Sequence, residues 1–419
     1  MVEDSKAGPW EDRKRMDSGP GRMADGGAQQ PLTIVLVVDT IGNQGNGTSN
    51  SALQYARELS KQGHEVRLVG VGAPEYPAEI NRVPLVSWVA AKQQMQFARP
   101  SSVLFRRAFK GADVVHIYMP FAFGRKAYAV ARSMGIPVTA GFHLQPENIT
   151  YSAGPLKYLP GLSSFIYWLF KHWLYGKVEH IHTPTQMMAD ELARHGYRAR
   201  IHVISNGYSP RFSPKEAARD KASSRVGAGG HFRIIASGRL TNEKDHATLI
   251  RAVSLCRHAR QIELTICGTG PLKRQLQASA KKLLTCPASI GFHKNENMPR
   301  LLRSCDLLAH PSIADSESLS VIEGMASGLV PIIADSPLSA AKQFALTPSS
   351  LFPVRDAQAL ANRIDWWIDH PEELAAWGMR YARSARDQYS VKACVRKFVA
   401  MERQAIENEQ DGSQPMAGC

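Results

Sequence analysis

The segment from Asp315 to Gly328, DSESLSVIEGMASG, sets two carboxylates on either side of a short run of small residues that opens a helix. At a helix start the backbone N–H groups lack intrahelical partners and the dipole favours negative charge, so Ser318, Leu319 and Ser320 suit a diphosphate. Glu323, one turn further in, is placed to face a ribose. Asp315, on the incoming loop, is placed to accept hydrogen bonds from the hydroxyls of a sugar. An isolated match of this kind serves equally as a capped surface helix with Glu323 in water, so the neighbours decide. Ile234 to Ala236 is a short apolar run that ends in Gly238-Arg239-Leu240 and is followed by Glu243-Lys244. Arg239 as a planar fork and Lys244 as a point charge suit the developing charge of a diphosphate leaving group. Leu264 to Cys267 runs likewise into Gly268-Thr269-Gly270-Pro271, and strands that stop where a ligand begins are what an open parallel sheet requires.

These loops need elements to hold them. A chain of 419 residues exceeds one core and suits two domains of about 180 residues each. Its 44% hydrophobic and 21% charged content is that of a globular protein and excludes general disorder or many membrane spans. Leu32 to Val38 reads as a strand buried on both faces, followed by the glycine loop Gly42 to Gly47 and a helix through Leu53, Ala56 and Leu59. Repetition of this unit at Val66, at Val114 to Ile117 and at Pro137 to His143 predicts an α/β domain of Rossmann type. The loop is not GxGxxG, so no dinucleotide cofactor is expected; Gly45 and Gly47 let backbone approach a phosphate or an acceptor. The expected boundaries are a disordered tail over 1–30, a first Rossmann-like domain over 31–205, a polar linker over 206–230, and a second domain over 231–380. Helices over 381–407 then brace the first domain, and 408–419 is a second tail. Six scattered cysteines without CxxC spacing fit a reducing cytoplasm, with neither a disulfide framework nor a zinc site.

The order GRL with EK, then GTGP, then an acid ahead of EGMASG resembles the retaining nucleotide-sugar glycosyltransferases of family 4, over residues 31 to 400. That resemblance implies the GT-B fold, two facing Rossmann-like domains with a deep interdomain cleft. The donor would bind the second domain and the acceptor the first. Asp315, Arg239 and Lys244 would act on the donor, with Gly268, Gly270, Glu317, Ser318, Leu319, Ser320 and Glu323 lining its site. His143, after the strand Pro137 to Gly141, would hydrogen-bond the donor sugar near the reacting carbon. The departing phosphate oxygen would take the acceptor proton. No HxxxH or Asp-x-Asp arrangement stands at a strand end and Arg239 with Lys244 can do the work of a divalent ion, so no metal is expected, and no cofactor. This sequence departs from the family's pattern twice, with Asp315 in place of Glu and Ser318 in place of Gly. Either the sugar sits closer or Glu317 substitutes for the shorter acid. The strings GFHLQPENITYSAG, HWLYGKVEHIHTPT, SESLSVIEGMASG and ADSPLSAAKQFAL are similar to a bacterial subgroup that includes diacylglycerol glucosyltransferases.

Charge bears on the acceptor. Between Arg82 and Arg132 stand nine Lys or Arg against one acid, Asp113, and the whole chain carries a formal net charge of +14. Ala90 to Lys110 interleaves Met95, Phe97, Leu104, Phe105 and Phe109 with Lys92, Arg99, Arg106, Arg107 and Lys110, a pattern suited to an anionic membrane surface. Phe165 to Tyr175 is aromatic-rich and too short to span a bilayer. Trp168 and Trp173 would wedge into the lipid interface, against the alternative of a helix buried behind the sheet. No base-reading module accompanies the charge, so nucleic acid is not an expected partner. The expectation is a hexosyltransferase, glucose and UDP-glucose favoured, acting on a lipid hydroxyl such as that of diacylglycerol, cytoplasmic and peripheral on the inner membrane face. Capsular or exopolysaccharide transfer to a lipid-linked saccharide, nucleotide-sugar 2-epimerisation, and a non-catalytic sugar-binding module stand as alternatives.

Overall fold

The computed structural model describes residues 30–41, 47–81, 96–146, 161–214 and 230–413. Outside these lie residues 1–29 of the tail expected over 1–30, Gly45 with the rest of the glycine loop, Lys92, Met95, linker residues 215–229, and 414–419.

Strand β1 (Thr33–Thr40) is buried at every position after the first, because parallel neighbours and helices cover both of its edges and faces. It pairs with β2 (Glu65–Val71) and β4 (Val114–Ile117), Val35 lying opposite Arg67 on one side and Val115 on the other. With β3 (Tyr76–Pro77), β5 (Val138–Gly141), β6 (His180–Thr183) and β7 (Arg200–Val203), the order is β3-β2-β1-β4-β5-β6-β7, parallel throughout. The order reverses between β1 and β4, which is where such sheets leave a crevice at their carboxyl ends. Helices α1 (Gly47–Lys61), α2 (Ser102–Phe109), α3 (Ala122–Ser133), α4 (Leu162–Trp173) and α5 (Gln186–Arg194) supply the crossovers and faces.

The second sheet is built the same way from β8 (Phe232–Ser237), β9 (Ile262–Cys267), β10 (Ser289–Gly291), β11 (Leu307–His310), β13 (Val330–Asp335) and β15 (Leu351–Pro353). Its order is β10-β9-β8-β11-β13-β15, again parallel. A separate parallel pair, β12 (Ala314–Asp315) and β14 (Leu338–Ser339), fixes Asp315 opposite Ser339. Around the sheet stand α6 (His246–Leu255), α7 (Lys273–Leu283), α8 (Met298–Ser304), α9 (Leu319–Ala326), α10 (Ala357–Asp369) and α11 (Pro371–Tyr389).

The final helix, α12 (Val391–Ser413), leaves the second domain and packs on the first: Cys394, Val395, Phe398 and Met401 share a core with Ile34, Leu36 and Tyr55. Three expected boundaries need correction. Tyr381 and Ala385 belong to the second core, so the chain crosses back at Ser390 and not at 381. The bracing helix continues to Ser413, so 408–413 is helical and not a tail. Tyr208 and Phe212 also lie in the second core, which takes them out of the expected linker. The two crossings run side by side: Tyr208 N donates to Tyr389 O at 3.0 Å and Val391 N to Tyr208 O at 3.1 Å.

Candidate active site

The carboxyl end of β8 and the start of α9 bring the donor residues together. Lys244 closes a short 3-10 turn, Asn242–Lys244, and its Nζ lies 2.5 Å from Asp315 Oδ2, both side chains being nearly buried. His310, the last residue of β11, places Nε2 3.3 Å from the same carboxylate oxygen and 3.1 Å from Ser318 Oγ. Burial alone would raise the Asp315 carboxyl, yet the Lys244 ammonium and His310 outweigh it and hold the group well below the usual carboxylate range. Arg239 is mostly exposed and lies 3.3 Å from Glu243, so its guanidinium is tethered at the rim.

Ser318 takes a left-handed conformation, φ 66° and ψ 57°, and caps α9 without a side-chain bond to the helix. That conformation costs an L-residue about 1–2 kcal/mol and none for glycine, which explains the family's preference for glycine at this position. The Ser318 hydroxyl turns back to His310, which leaves the amides of Leu319 and Ser320 at an open helix start. Gly268 and Gly270 are required by close packing of two loops. A Cβ on Gly268 would stand 1.9 Å from Gly238 O, and one on Gly270 2.4 Å from Leu240 O. Both glycines therefore let the loop after β9 lie against the loop after β8, which carries Arg239 and Lys244. Gly47, by contrast, opens α1 with no atom of the described residues within 4 Å of where a Cβ would stand.

Glu317 is fully committed elsewhere. Its Oε1 accepts from Ser205 Oγ at 2.6 Å and Asn206 N at 2.7 Å, and its Oε2 accepts from Asn206 Nδ2. Ser51 Oγ in turn donates to Asn206 Oδ1 at 2.6 Å, and Tyr55 OH to Ser205 O at 2.5 Å. A carboxylate beside the donor loop thus ties α1, the end of the first domain and the start of α9 into one latch. Thr185 Oγ1 adds a second tie, donating to Ser316 O at 3.1 Å. Of the two alternatives for the shortened acid, the structure leaves Asp315 next to Lys244 and takes Glu317 away. Burial pushes the Glu317 carboxyl up to about 7 against the hydrogen bonds from Ser205 and Asn206. Glu323 touches neither Lys244 nor Asp315. It is half-buried on α9, pushed up to about 7 by burial, and the cation that acts on it is Arg211.

His143 lies two residues past β5, and among the described residues neither of its buried ring nitrogens has a hydrogen-bond partner. Its ring stacks on Tyr118 at 5.1 Å and meets His182 edge-on at 5.0 Å. Together with His116 and His182 it forms a group whose ligand atoms all lie within 4.8 Å of one another. Spacing along the sequence does not reveal this grouping. His180 bonds His202 at 3.0 Å and Asn408 at 2.9 Å. His116 and His182 are next to last in β4 and β6 and His143 lies two residues past β5, so the grouping depends on sheet order and not on spacing along one strand.

The cationic stretch is also corrected. In α2 Phe105, Ala108 and Phe109 are buried in the first core, so this apolar face is not free for lipid, while Arg106, Arg107 and Lys110 remain exposed. Arg99 is paired with Glu79 at 2.8 Å. The aromatic helix α4 is not simply buried: Tyr167 and Phe170 face the core, whereas Phe165, Trp168 and Leu169 are exposed. Trp173 is half-buried under the Arg125 guanidinium, 4.0 Å above its ring. Among the described residues no helix is long and apolar enough to cross a membrane.

Comparison with known proteins agrees with this architecture. The model of Glycosyltransferase Family 4 matches residues 45–212 and that of Glycosyl transferases group 1 matches residues 219–384. A GDP-mannose-dependent alpha-mannosyltransferase of Corynebacterium glutamicum is 24% identical over 315 residues, 72% of this chain and 71% of that protein. An alpha-monoglucosyldiacylglycerol synthase of Streptococcus pneumoniae is 24% identical over 317 residues, again 72% and 71%. Among solved structures, the sucrose-phosphate synthase of Thermosynechococcus elongatus matches with a TM-score of 0.66 and 15% identity, over 90% of this chain and all (100%) of that one. HepE of Anabaena, solved with UDP and glucose, matches with a TM-score of 0.62 and 16% identity, over 91% and 100%. With one family match on each sheet and the GT-B architecture joining them, the chain belongs to the family 4 glycosyltransferases.

Proposed function

We propose that this glycosyltransferase moves a hexose, glucose favoured, from a nucleoside diphosphate sugar to a hydroxyl of a membrane lipid such as diacylglycerol, with retention at the anomeric carbon. The observation that carries the donor half is the Lys244–Asp315 pair beside the open start of α9. The diphosphate would lie over the amides of Leu319 and Ser320, with Lys244 beside it and Arg239 swinging in from the rim, so the cations do the work of a divalent ion. Asp315, kept ionised, would accept from sugar hydroxyls, and Glu323 from the ribose. The bond from the sugar's C1 to the phosphate oxygen breaks while that from C1 to the acceptor oxygen forms on the same face. The departing phosphate oxygen takes the acceptor's proton. The protein supplies position and charge.

The lipid acceptor is supported by the exposed cations of α2, by the exposed Phe165, Trp168 and Leu169 of α4, and by the synthase relatives that act in glycolipid formation as their names state. The mannosyltransferase relatives favour a second reading, with GDP-mannose as donor. Purified protein would be given UDP-, GDP- and ADP-sugars with vesicles of diacylglycerol in anionic lipid, with a lipid-linked saccharide, or with no acceptor. Product from UDP-glucose and diacylglycerol with an α-linkage by proton NMR is the expected result. Isomerisation of the donor without transfer, or transfer only to the saccharide, would replace this reading.

A further inference from the structure

We propose that the groove where α11 meets the two crossing segments binds a single-chain anionic lipid, a long-chain fatty acid. The groove has a volume of about 870 Å³ and reaches Ala326, the last residue of α9. Its floor includes Tyr208, Phe212, Ala326 and Ala382, all buried, and Met379, 51% exposed, forms an apolar lip. Around the lip stand Arg380, Arg383 and Arg386 of α11 and Lys392 of α12, all exposed, and no carboxylate lines the groove. Arg380 lies over the Trp377 ring at 4.6 Å and Arg386 is drawn to Asp387 at 3.2 Å. Among the described residues Arg383 and Lys392 form no ion pair.

A volume within about 300–1,000 Å³ is that of a small-molecule site, which argues against a folded partner as the occupant. The apolar floor favours an alkyl chain, and the cations at the lip favour an anionic head, the Arg fork matching the two oxygens of a carboxylate. A neutral or cationic head would leave those cations unmatched. The segment that continues from Pro214, residues 215–229, has no apolar side chain larger than Val226, so it supplies nothing that resembles the chain of a lipid. A Cβ on Gly378 would stand 2.4 Å from Gly328 O, so α11 lies directly against the turn that ends α9 and gives the groove a firm wall. The eight residues of α9, about 12 Å of helix, separate the groove from the amides at its start, so the site is distinct from that of the donor. Arg383 belongs to α11 of the second domain, and Lys392 to the helix that completes the first core. A head held by both would tie the two domains where the chain crosses at Ser390.

Laurate, kept below its micelle concentration, would be titrated into the purified full chain by isothermal calorimetry. One laurate per chain is expected, with a thermal unfolding midpoint that rises with laurate concentration. Dodecyltrimethylammonium, which carries the same chain on a cation, and acetate, which carries the head alone, should each bind at least about tenfold more weakly. R383Q and K392Q should each weaken laurate about tenfold, the loss of one charge-assisted contact. Met379→Glu, which sets a carboxylate at the lip, should weaken it further, while R396Q, exposed on α12 outside the groove, should bind as the wild type does. All four substitutions replace exposed side chains, and the wild-type selectivity alone decides if a variant does not fold. Failure of laurate to bind, equal binding of the cationic amphiphile, or R383Q and K392Q both within about twofold of wild type overturns the proposal. No donor or acceptor enters the assay, so the outcome is independent of the transferase reading.

Discussion

Replacing Lys244 with Met keeps the aliphatic stem and removes only the ammonium. At 2.5 Å and an effective dielectric of about 20, the lost attraction to Asp315 is about 7 kcal/mol before desolvation is subtracted. Breaking a buried pair from one side leaves a net cost of about 3–5 kcal/mol, since an uncompensated carboxylate stays in the core. His310, 3.3 Å from Asp315, can protonate and recover part of this, so the lower end is expected in urea denaturation. Turnover should fall independently by a factor of about a hundred to a thousand, the usual effect of removing one group aimed at developing oxyanion charge. The double variant K244M/D315N separates the two effects. With the orphaned carboxylate gone, it should be more stable than K244M, while turnover stays low because no cation faces the phosphate. Turnover of K244M within about threefold of wild type, less than about 1 kcal/mol in the barrier, would refute the donor site.

Gly268→Ala places a methyl 1.9 Å from Gly238 O, with only backbone to yield, and should cost more than about 3 kcal/mol in denaturant unfolding or prevent folding. For Glu317, burial lifts the folded-state carboxyl from 4.5 to about 7, so the folded chain binds its proton more tightly than the unfolded one. Its contribution is therefore full below the unfolded value and declines as pH rises through about 7, by up to about 3 kcal/mol. Glu317→Gln should flatten that part of the stability profile between about pH 5 and about pH 8, and parallel profiles would exclude the effect. Neutralising Arg106, Arg107 and Lys110 together should weaken binding to anionic vesicles about a hundredfold at low salt, at about 1 kcal/mol per cation, with donor hydrolysis in solution unchanged. Unchanged vesicle affinity would remove the electrostatic support for a membrane acceptor.

The parallel sheets were legible because a strand segment covered on both faces is apolar in a continuous run, as Ile34 to Val38 of β1 and Ile234 to Ala236 of β8 are. Loops at strand ends were legible for a related reason: glycine turns mark where backbone must pass close to backbone, as Gly268 and Gly270 do against the loop after β8. Less legible was anything that joins distant segments. Nothing local in SESLS shows that Glu317 will meet Asn206, 111 positions away, while Asp315 two residues earlier meets Lys244. The histidine group escaped for the same reason, its members coming from β4, β6 and the loop after β5. Helix α2 misled differently, since a helix packed on its own core and a helix laid on lipid share one periodicity, and only burial of Phe105 and Phe109 distinguishes them.

Because α12 completes the core that contains Ile34, Leu36 and Tyr55, the first domain consists of two pieces of chain separated by the whole of the second. On the ribosome, its sheet must therefore wait with one face uncovered while residues 208 to 390 are made. The second domain has all its parts in sequence and is able to fold ahead of the one that precedes it. A fragment ending at the first crossing would expose the side of β1 that α12 covers, and would be expected to aggregate where the full chain does not.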